Sequence, residues 1–415
     1  MAKRIVLLGN SIAGIKALET LKAAEADCEL TVFATEKFFP YRPEFLGEFI
    51  ARRVTEDKLY YRPQAFYKDL GVEFLFDKNL ERVNLKKSVL VTEGKETIPF
   101  DRLILAEPPS WKFPDIKGSN KSGIFTPYRL SDLKNILEVL PISETIVIEA
   151  SSVESVQWAC ALKERGKEAV LVFDSAYLLP EILDQESSEL VMQYLEEFGI
   201  RIFKENTIVE ILGEGEVKAV RLRTKKVLSC ELLIFGKVRP DLRFLPDLEL
   251  GDLTVGEGFQ TPLASVWTVG PLAMRGRIAG KLATPVWNRT PLLEFQGETA
   301  AASMLGREYT AGAPVAETDF MLPERSISIL GETGAGDDRR EFIRFEATPQ
   351  GPVYKKIFVQ NDMLTGAVLI NADAVKEKIL RFIKERSPLD ADPQQLLKSE
   401  GAAESVATPT AVDPR

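Results

Sequence analysis

Lys3-Arg4-Ile5-Val6-Leu7-Leu8-Gly9-Asn10-Ser11-Ile12-Ala13-Gly14 is an apolar run that stops at a glycine and passes at once into small residues. Lys3 to Gly9 reads as a buried parallel strand, because β-branched and leucine side chains follow one another without polar alternation. From Ser11 to Glu25, Ile12, Ile15, Leu18 and Leu21 recur at spacings of three, with Ala13 and Ala17 beside them, so the spacing predicts an amphipathic helix. Cys28 to Ala34 is a second strand, and the three pieces make a βαβ unit with a glycine-bearing turn between strand and helix. Further along the chain, the same unit returns at Glu144–Ile148, Val153–Arg165 and Glu168–Phe173. The fold class expected is α/β, with two doubly wound nucleotide-binding-like domains, one interrupted by the other.

Between the two units, Glu81 to Ala106 reads as short strands joined by a Glu93-Gly94-Lys95 turn. Beyond Pro291 the pattern changes to a C-terminal α+β domain. Pro314 to Met363 is strand-rich, Leu364 to Leu369 is a strand and Ala374 to Glu385 a charged helix. Val353 to Leu369 predicts a β-hairpin turning at Gln360-Asn361-Asp362, whose apolar side offers a surface to a partner or a second copy. Glu144, Glu154 and Glu196-Glu197 read as solvated faces. From Ser387 the chain is poor in large apolar groups, and a disordered tail is expected.

Composition narrows the chemistry. The chain has 415 residues, 45% apolar and 28% charged, with a net charge of −9. No basic tract offsets that charge, so nucleic acid is excluded as a partner. No apolar run approaches the roughly 20 residues of a membrane span, and the expected location is the cytoplasm. There is no histidine, which rules out a Ser-His-Asp triad, a His-bearing zinc site and a proximal-His haem within the chain. Cys28, Cys160 and Cys230 stand too far apart for a CxxC motif and read as buried filler.

Taken in order, several blocks resemble the flavin-dependent pyridine-nucleotide reductases of the NADH:rubredoxin reductase and nitrite reductase type. They are Gly9 to Gly14, Pro40-Tyr41-Arg42-Pro43, Phe100 to Ala106, Leu178 to Asp184, Gly236 to Pro240, Thr261 to Gly270 and Val353 to Ile370. The resemblance covers residues 3 to 386. It implies an FAD-binding domain at 1–110 and 251–312, an inserted NAD(P)-binding-like domain at 111–250, an interface domain at 313–386 and a tail at 387–415.

Within that resemblance, the first turn places backbone N–H groups of Ser11, Ile12 and Ala13 at a helix N-terminus facing a pyrophosphate. Gly9 and Gly14 supply the first and third glycines of G-x-G-x-x-G, and Ser11 replaces the second. If that position needed a positive φ, serine would cost on the order of 1 kcal/mol. A tight turn with no ligand is the alternative. Glu36 stands where the family places an acid for the adenosine ribose, and Arg42 matches an arginine that contacts the cofactor. Either residue also suits a solvated surface. Ala106 begins the family's Ala-Thr-Gly, here Ala106-Glu107-Pro108, and Gly270 is followed by Pro271 where the family has an aspartate.

The second glycine motif aligns with Glu149-Ala150-Ser151-Ser152-Val153-Glu154-Ser155-Val156, so every glycine is replaced and a carboxylate is added. NAD(P)H is therefore not expected there. A family Lys-Glu pair beside the flavin aligns with Gly47 and Val156, and the stretch after Arg42-Pro43 carries no cysteine. Trp287 falls near the late glycine block and reads as core or interface. No catalytic side chain and no metal site is expected. The reading chosen is an FAD-binding electron-transfer flavoprotein, working with an electron-transfer protein or other subunit and with a homodimer through the C-terminal domain open. A flavin-free pseudoenzyme serving as a scaffold or regulatory subunit is the alternative, and an intact NAD(P)H-dependent reductase the second alternative.

Overall fold

The computed structural model describes residues 2–398, apart from 25–26, 77, 108–109, 127, 237, 247–254, 275–276, 279–280, 283–288, 310–313, 323–324, 334–338, 349–350 and 390–391. Trp287 and Pro108 lie outside the described residues. Strand β1 (Lys3–Leu8) leads through Gly9 into helix α1 (Ile12–Ala23) and strand β2 (Cys28–Phe33). β1 and β2 pair in parallel, with Leu8 opposite Phe33. On its other side β1 pairs in parallel with Arg102–Leu105. Glu73–Leu75 and Val266–Thr268 complete a five-stranded sheet at its two edges. β1 lies between β2 and Arg102–Leu105, so this is the point where strand order reverses. In sheets of this kind the crevice that takes a ligand lies at the carboxyl ends of the strands beside this point.

α1 buries Ile12, Ile15, Leu18 and Leu21, the face that their spacing predicts. It lies against the Thr290–Met304 helix so closely that a Cβ on Gly297 would come within 2.3 Å of the Ala13 carbonyl oxygen. Glycine is required there for the two backbones to approach.

The inserted unit repeats the plan. Its five parallel strands run in the order Arg201–Phe203, Glu168–Val172, Thr145–Glu149, Leu232–Phe235 and Ile124–Phe125. The Val153–Glu164 helix follows the central strand. Glu154, read as solvated, is instead buried at 5% exposure in the first turn of that helix.

The C-terminal unit is a five-stranded antiparallel sheet carrying the Asp373–Glu385 helix. Its hairpin Gly351–Gln360/Met363–Ile370 turns through Asn361 (φ 51°) and Asp362 (φ 58°). Two consecutive positive φ values are what a two-residue hairpin with native twist demands, and Asn and Asp tolerate them. Both faces of this hairpin are covered within the chain. Ile357, Val359, Leu364 and Leu369 pack with Val375, Ile379 and Leu380 of the helix, while Tyr354, Phe358, Val368 and Ile370 join the core of the inserted unit. The apolar hairpin face expected to meet a partner is thus internal.

Lys355 and Lys356 point to opposite faces of their strand, and both are buried, at 1% and 3% exposure. Lys355 Nζ donates to the Leu397 carbonyl oxygen at 2.9 Å and meets Glu346. That contact, with buried Leu396 and Leu397, holds a 3-10 turn at Pro393–Leu397, within the stretch expected to be a disordered tail. Lys356 Nζ lies 2.8 Å from Glu341 and 3.2 Å from Asp184, tying the sheet to the inserted unit. Burial works against the Asp184 charge, yet the Ser187 N–H and hydroxyl and the Lys356 ammonium hold its carboxyl below the usual range. That stabilisation is present above the unfolded pKa and is lost as pH falls through the lowered folded value. Lys356→Met is expected to cost about 2 kcal/mol at pH 7, with the difference from the parent shrinking at acid pH. Urea unfolding at both pH values measures it, and equal midpoints at pH 7 would refute it.

Among the described residues, no helix is long and apolar enough to cross a membrane.

Candidate functional site

Gly9 adopts φ 98°, where a side chain is not tolerated, and its amide donates to the Phe33 carbonyl oxygen at 2.9 Å. The chain then turns at Ser11, whose φ is −76° and ψ 157°. Serine adopts that extended conformation without strain. Its hydroxyl oxygen accepts the Gly14 N–H at 3.2 Å, an N-cap that satisfies one of the helix's orphan donors. The N–H groups of Ile12 and Ala13, in the first turn, have no acceptor within the helix. Gly14 packs under Leu7, with no room for a Cβ.

Gly270, at φ 65°, closes the other wall of the crevice. A Cβ there would meet the Ala106 carbonyl oxygen at 2.8 Å and the Ser11 hydroxyl at 3.3 Å. Its amide donates to Gln296 Oε1 at 2.6 Å. Pro271 opens the next short helix, Pro271–Met274. Gly9, Ser11, Ile12, Ala13, Gly14, Ala106 and Gly270 are thus gathered at one corner.

Glu36 and Arg42 both have partners within the chain. Glu36 accepts from the Tyr41 hydroxyl at 2.8 Å and from the Ser131 N–H at 3.0 Å, with Arg129 3.6 Å away. The acid expected to hold a ribose therefore ties the inserted unit's Leu130–Val139 helix to the end of β2. Arg42 Nη1 donates to the Tyr60 carbonyl oxygen at 3.0 Å, and its guanidinium lies beside the rings of Phe45 and Tyr61.

One residue at the corner changes its chemistry. Glu107, next after Ala106, turns its carboxylate to the Asn10 N–H, which donates to Oε2 at 3.0 Å. An internal anion thus sits at the N-terminus of α1, where helix dipole and free amides favour negative charge. Burial pushes the Glu107 carboxyl up to about 7 against the pull of that N–H; Glu36 adds to the rise and Arg129 opposes it.

Among the buried atoms with no hydrogen-bond partner are Asn10 Oδ1 beside this corner and, at the N-terminal end of the Thr290–Met304 helix, Glu44 Oε2 and Arg289 Nε and Nη2. Native interiors rarely leave such atoms unpaired, so these are positions at which a bound group could complete the hydrogen bonding. The set fits a dinucleotide once Glu107 yields the Asn10 amide. Sequence reasoning passed over Asn10, Glu44 and Arg289, and saw Glu107 only as a lost threonine.

The inserted copy is arranged differently. Ser152 Oγ accepts the Ser155 N–H at 3.3 Å, Ser151 Oγ lies 3.3 Å from Glu149 Oε2, and Gly236 N–H donates to the Glu149 carbonyl oxygen at 3.1 Å. Tyr128 Oη donates to the Gly236 carbonyl oxygen at 2.7 Å. A Cβ on Gly236 would collide with Ser155 Oγ, Glu149 O and Ser151 Oγ. At the corresponding turn of the inserted unit the Ser151 and Ser155 hydroxyls and the Glu149 carboxylate thus stand around Gly236. Gly47 lies against Gln157 and Trp158, so the short Leu46–Ile50 helix packs directly on Val153–Glu164 where the family pair aligns. Burial pushes Cys160 and Cys230 up to about 12, leaving them as inert thiols. Cys28 is only half-buried.

Comparison with known proteins agrees with this architecture. The chain is 22% identical over 407 residues to the assimilatory nitrate reductase electron transfer subunit of Bacillus subtilis, covering 96% of this chain and 51% of that protein. It is also 22% identical to the nitrite reductase (NADH) large subunit of Escherichia coli, covering 95% of this chain and 47% of that protein. The chain thus spans about half the length of these curated relatives. Putidaredoxin reductase, in its covalent complex with putidaredoxin, superposes with a TM-score of 0.80 at 18% identity, covering 95% of this chain and 96% of that one. That likeness shows the shared fold. The model of the pyridine nucleotide-disulphide oxidoreductase family matches residues 3–288, and with both crevices falling inside that span, the chain belongs to this family.

Proposed function

We propose that this chain is an FAD-binding electron-transfer flavoprotein that exchanges electrons with a partner protein, and that its inserted site no longer takes NAD(P)H. The observation that carries the first half is a strand-to-helix corner that keeps Gly9 and Gly270 at positive φ, together with orphaned buried atoms on Asn10, Glu44 and Arg289. When bound, the flavin carries the redox chemistry; the protein supplies position and electrostatics. Ile12 and Ala13 amides receive the diphosphate, Ser11 fixes the helix end, and Gly270 lets the cofactor chain pass close to the backbone. The relative named an electron transfer subunit supports the same class. For the second half, the serines and Glu149 packed on Gly236 support a site closed to a dinucleotide.

Anaerobic mixing of the FAD-loaded chain with NADH or NADPH is expected to leave the flavin oxidised, while a small reduced iron-sulfur protein bleaches it. Rapid bleaching by the nucleotide would contradict the closed inserted site. A flavin-free scaffold is the second reading, favoured by the Glu107 carboxylate at the Asn10 amide. A chain that stays colourless with excess FAD, including its Glu107→Gln variant, supports that reading.

A further inference from the structure

Arg289 caps the Thr290–Met304 helix, and Glu44 lies in the Pro43–Phe45 turn. The two segments are joined by the Thr290 hydroxyl, which donates to Glu44 Oε1 at 2.6 Å across 246 positions of sequence. That leaves Glu44 Oε2 as a buried acceptor and Arg289 Nε and Nη2 as buried donors, none with a partner. Each such atom costs about 1–3 kcal/mol, and more when charged, so a chain that keeps three of them together has a use for them.

The chemistry of the set is selective. A simple anion would meet the Glu44 carboxylate; a cation would face Arg289 and Arg42, both close enough to act on the Glu44 charge. A neutral planar group that offers acceptors beside an N–H donor satisfies all three atoms, since Nε and Nη2 form one flat fork and Oε2 takes a proton. The same helix leads from Arg289 through Gln296, which receives the Gly270 amide, to the diphosphate corner. At 1.5 Å per residue these ends are about 10 Å apart along its axis.

We propose that Arg289 and Glu44 bind the edge of a heterocycle presenting a carbonyl oxygen beside a ring N–H, which is the pyrimidine edge of a flavin. The proposal rests on the flavoprotein reading above. Arg289 donates to ring acceptors and Glu44 accepts the ring N–H. Two further consequences separate this from a structural role. Arg289→Gln removes two unsatisfied buried donors but also the positive charge facing Glu44, so the two effects offset and the ligand-free protein keeps about the parent's stability. The positive charge near the ring favours the reduced flavin, so its loss lowers the reduction potential.

The test titrates the full chain, Arg289→Gln and Glu44→Gln with FAD, with riboflavin, which has the ring without the diphosphate, and with ADP, which has the diphosphate without the ring. Both variants are expected to lose about tenfold to a hundredfold in affinity for FAD and riboflavin and none for ADP. Arg289→Gln should keep the parent's melting temperature without ligand and bind flavin at a lower reduction potential. Parent-like flavin affinity in both variants overturns this proposal and leaves the flavoprotein reading standing. If the parent chain binds neither FAD nor riboflavin, both fall together.

Discussion

Glu107→Gln is expected to bind FAD at least tenfold more tightly than the parent at pH 8. At pH 6 the advantage nearly disappears. The parent carboxyl, pushed up to about 7, is charged at the higher pH and mostly protonated at the lower. At pH 8 a diphosphate must therefore displace or face a carboxylate at the helix end. At an effective dielectric of 20, two unit charges about 4 Å apart repel by ~4 kcal/mol, so a tenfold effect is a conservative floor. Glutamine keeps an oxygen for the Asn10 N–H and removes the charge. Parent affinity should thus rise as pH falls through 7, and the variant's should be flat.

The same substitution has a stability consequence with a definite sign. An acid whose folded pKa is raised binds its proton more tightly folded than unfolded. Its contribution is full below the unfolded value of 4.5 and declines as pH climbs to the folded value near 7. Glu107→Gln is expected to match the parent near pH 4 and to exceed it by roughly 3 kcal/mol at pH 8. Calorimetric melting at the two pH values reads this directly. A variant no more stable than the parent at pH 8 means that the carboxylate is not strained at that corner.

Gly9→Ala should carry the other large effect, a loss of about 3 kcal/mol or more in folding stability together with the loss of FAD binding. Two causes combine. The residue adopts φ 98°, and a Cβ would fall 2.5 Å from the Glu107 amide nitrogen and 2.6 Å from its Cβ. Gly166 separates them, having φ 77° with nothing within 4 Å of where a Cβ would stand. Gly166→Ala carries only the conformational cost, about 1–2 kcal/mol. The gap between the two variants in urea unfolding measures how tightly the two strand ends meet at the crevice. Equal losses would mean that they do not press on one another.

The parts of the fold legible in the sequence are those specified by local chemistry. The apolar run into Gly9, the spacing of Ile12, Ile15, Leu18 and Leu21, and the Asn361-Asp362 turn each state their conformation within a few residues. The site is less legible because its side chains are set by long-range contacts. Nothing in the sequence around Glu36 shows that its carboxylate accepts the Ser131 amide 95 positions away. Glu107 is visible as a substitution, but its direction depends on where the Arg102–Leu105 strand ends beside Gly9. Lys355 and Lys356 make the same point in the C-terminal sheet: adjacent lysines suggest a solvated strand, and burial follows because Glu346 and Glu341 of the neighbouring strand and Asp184 of the inserted unit meet them on opposite faces.

Whether the amino-terminal crevice holds FAD is decided by flavin content after equilibration with excess FAD at pH 6, where the Glu107 charge is mostly neutralised. One FAD per chain is expected, displaced by Gly9→Ala and unaffected by NADH. A parent chain that emerges from gel filtration colourless, or one that releases FAD in exchange for NADH, contradicts it.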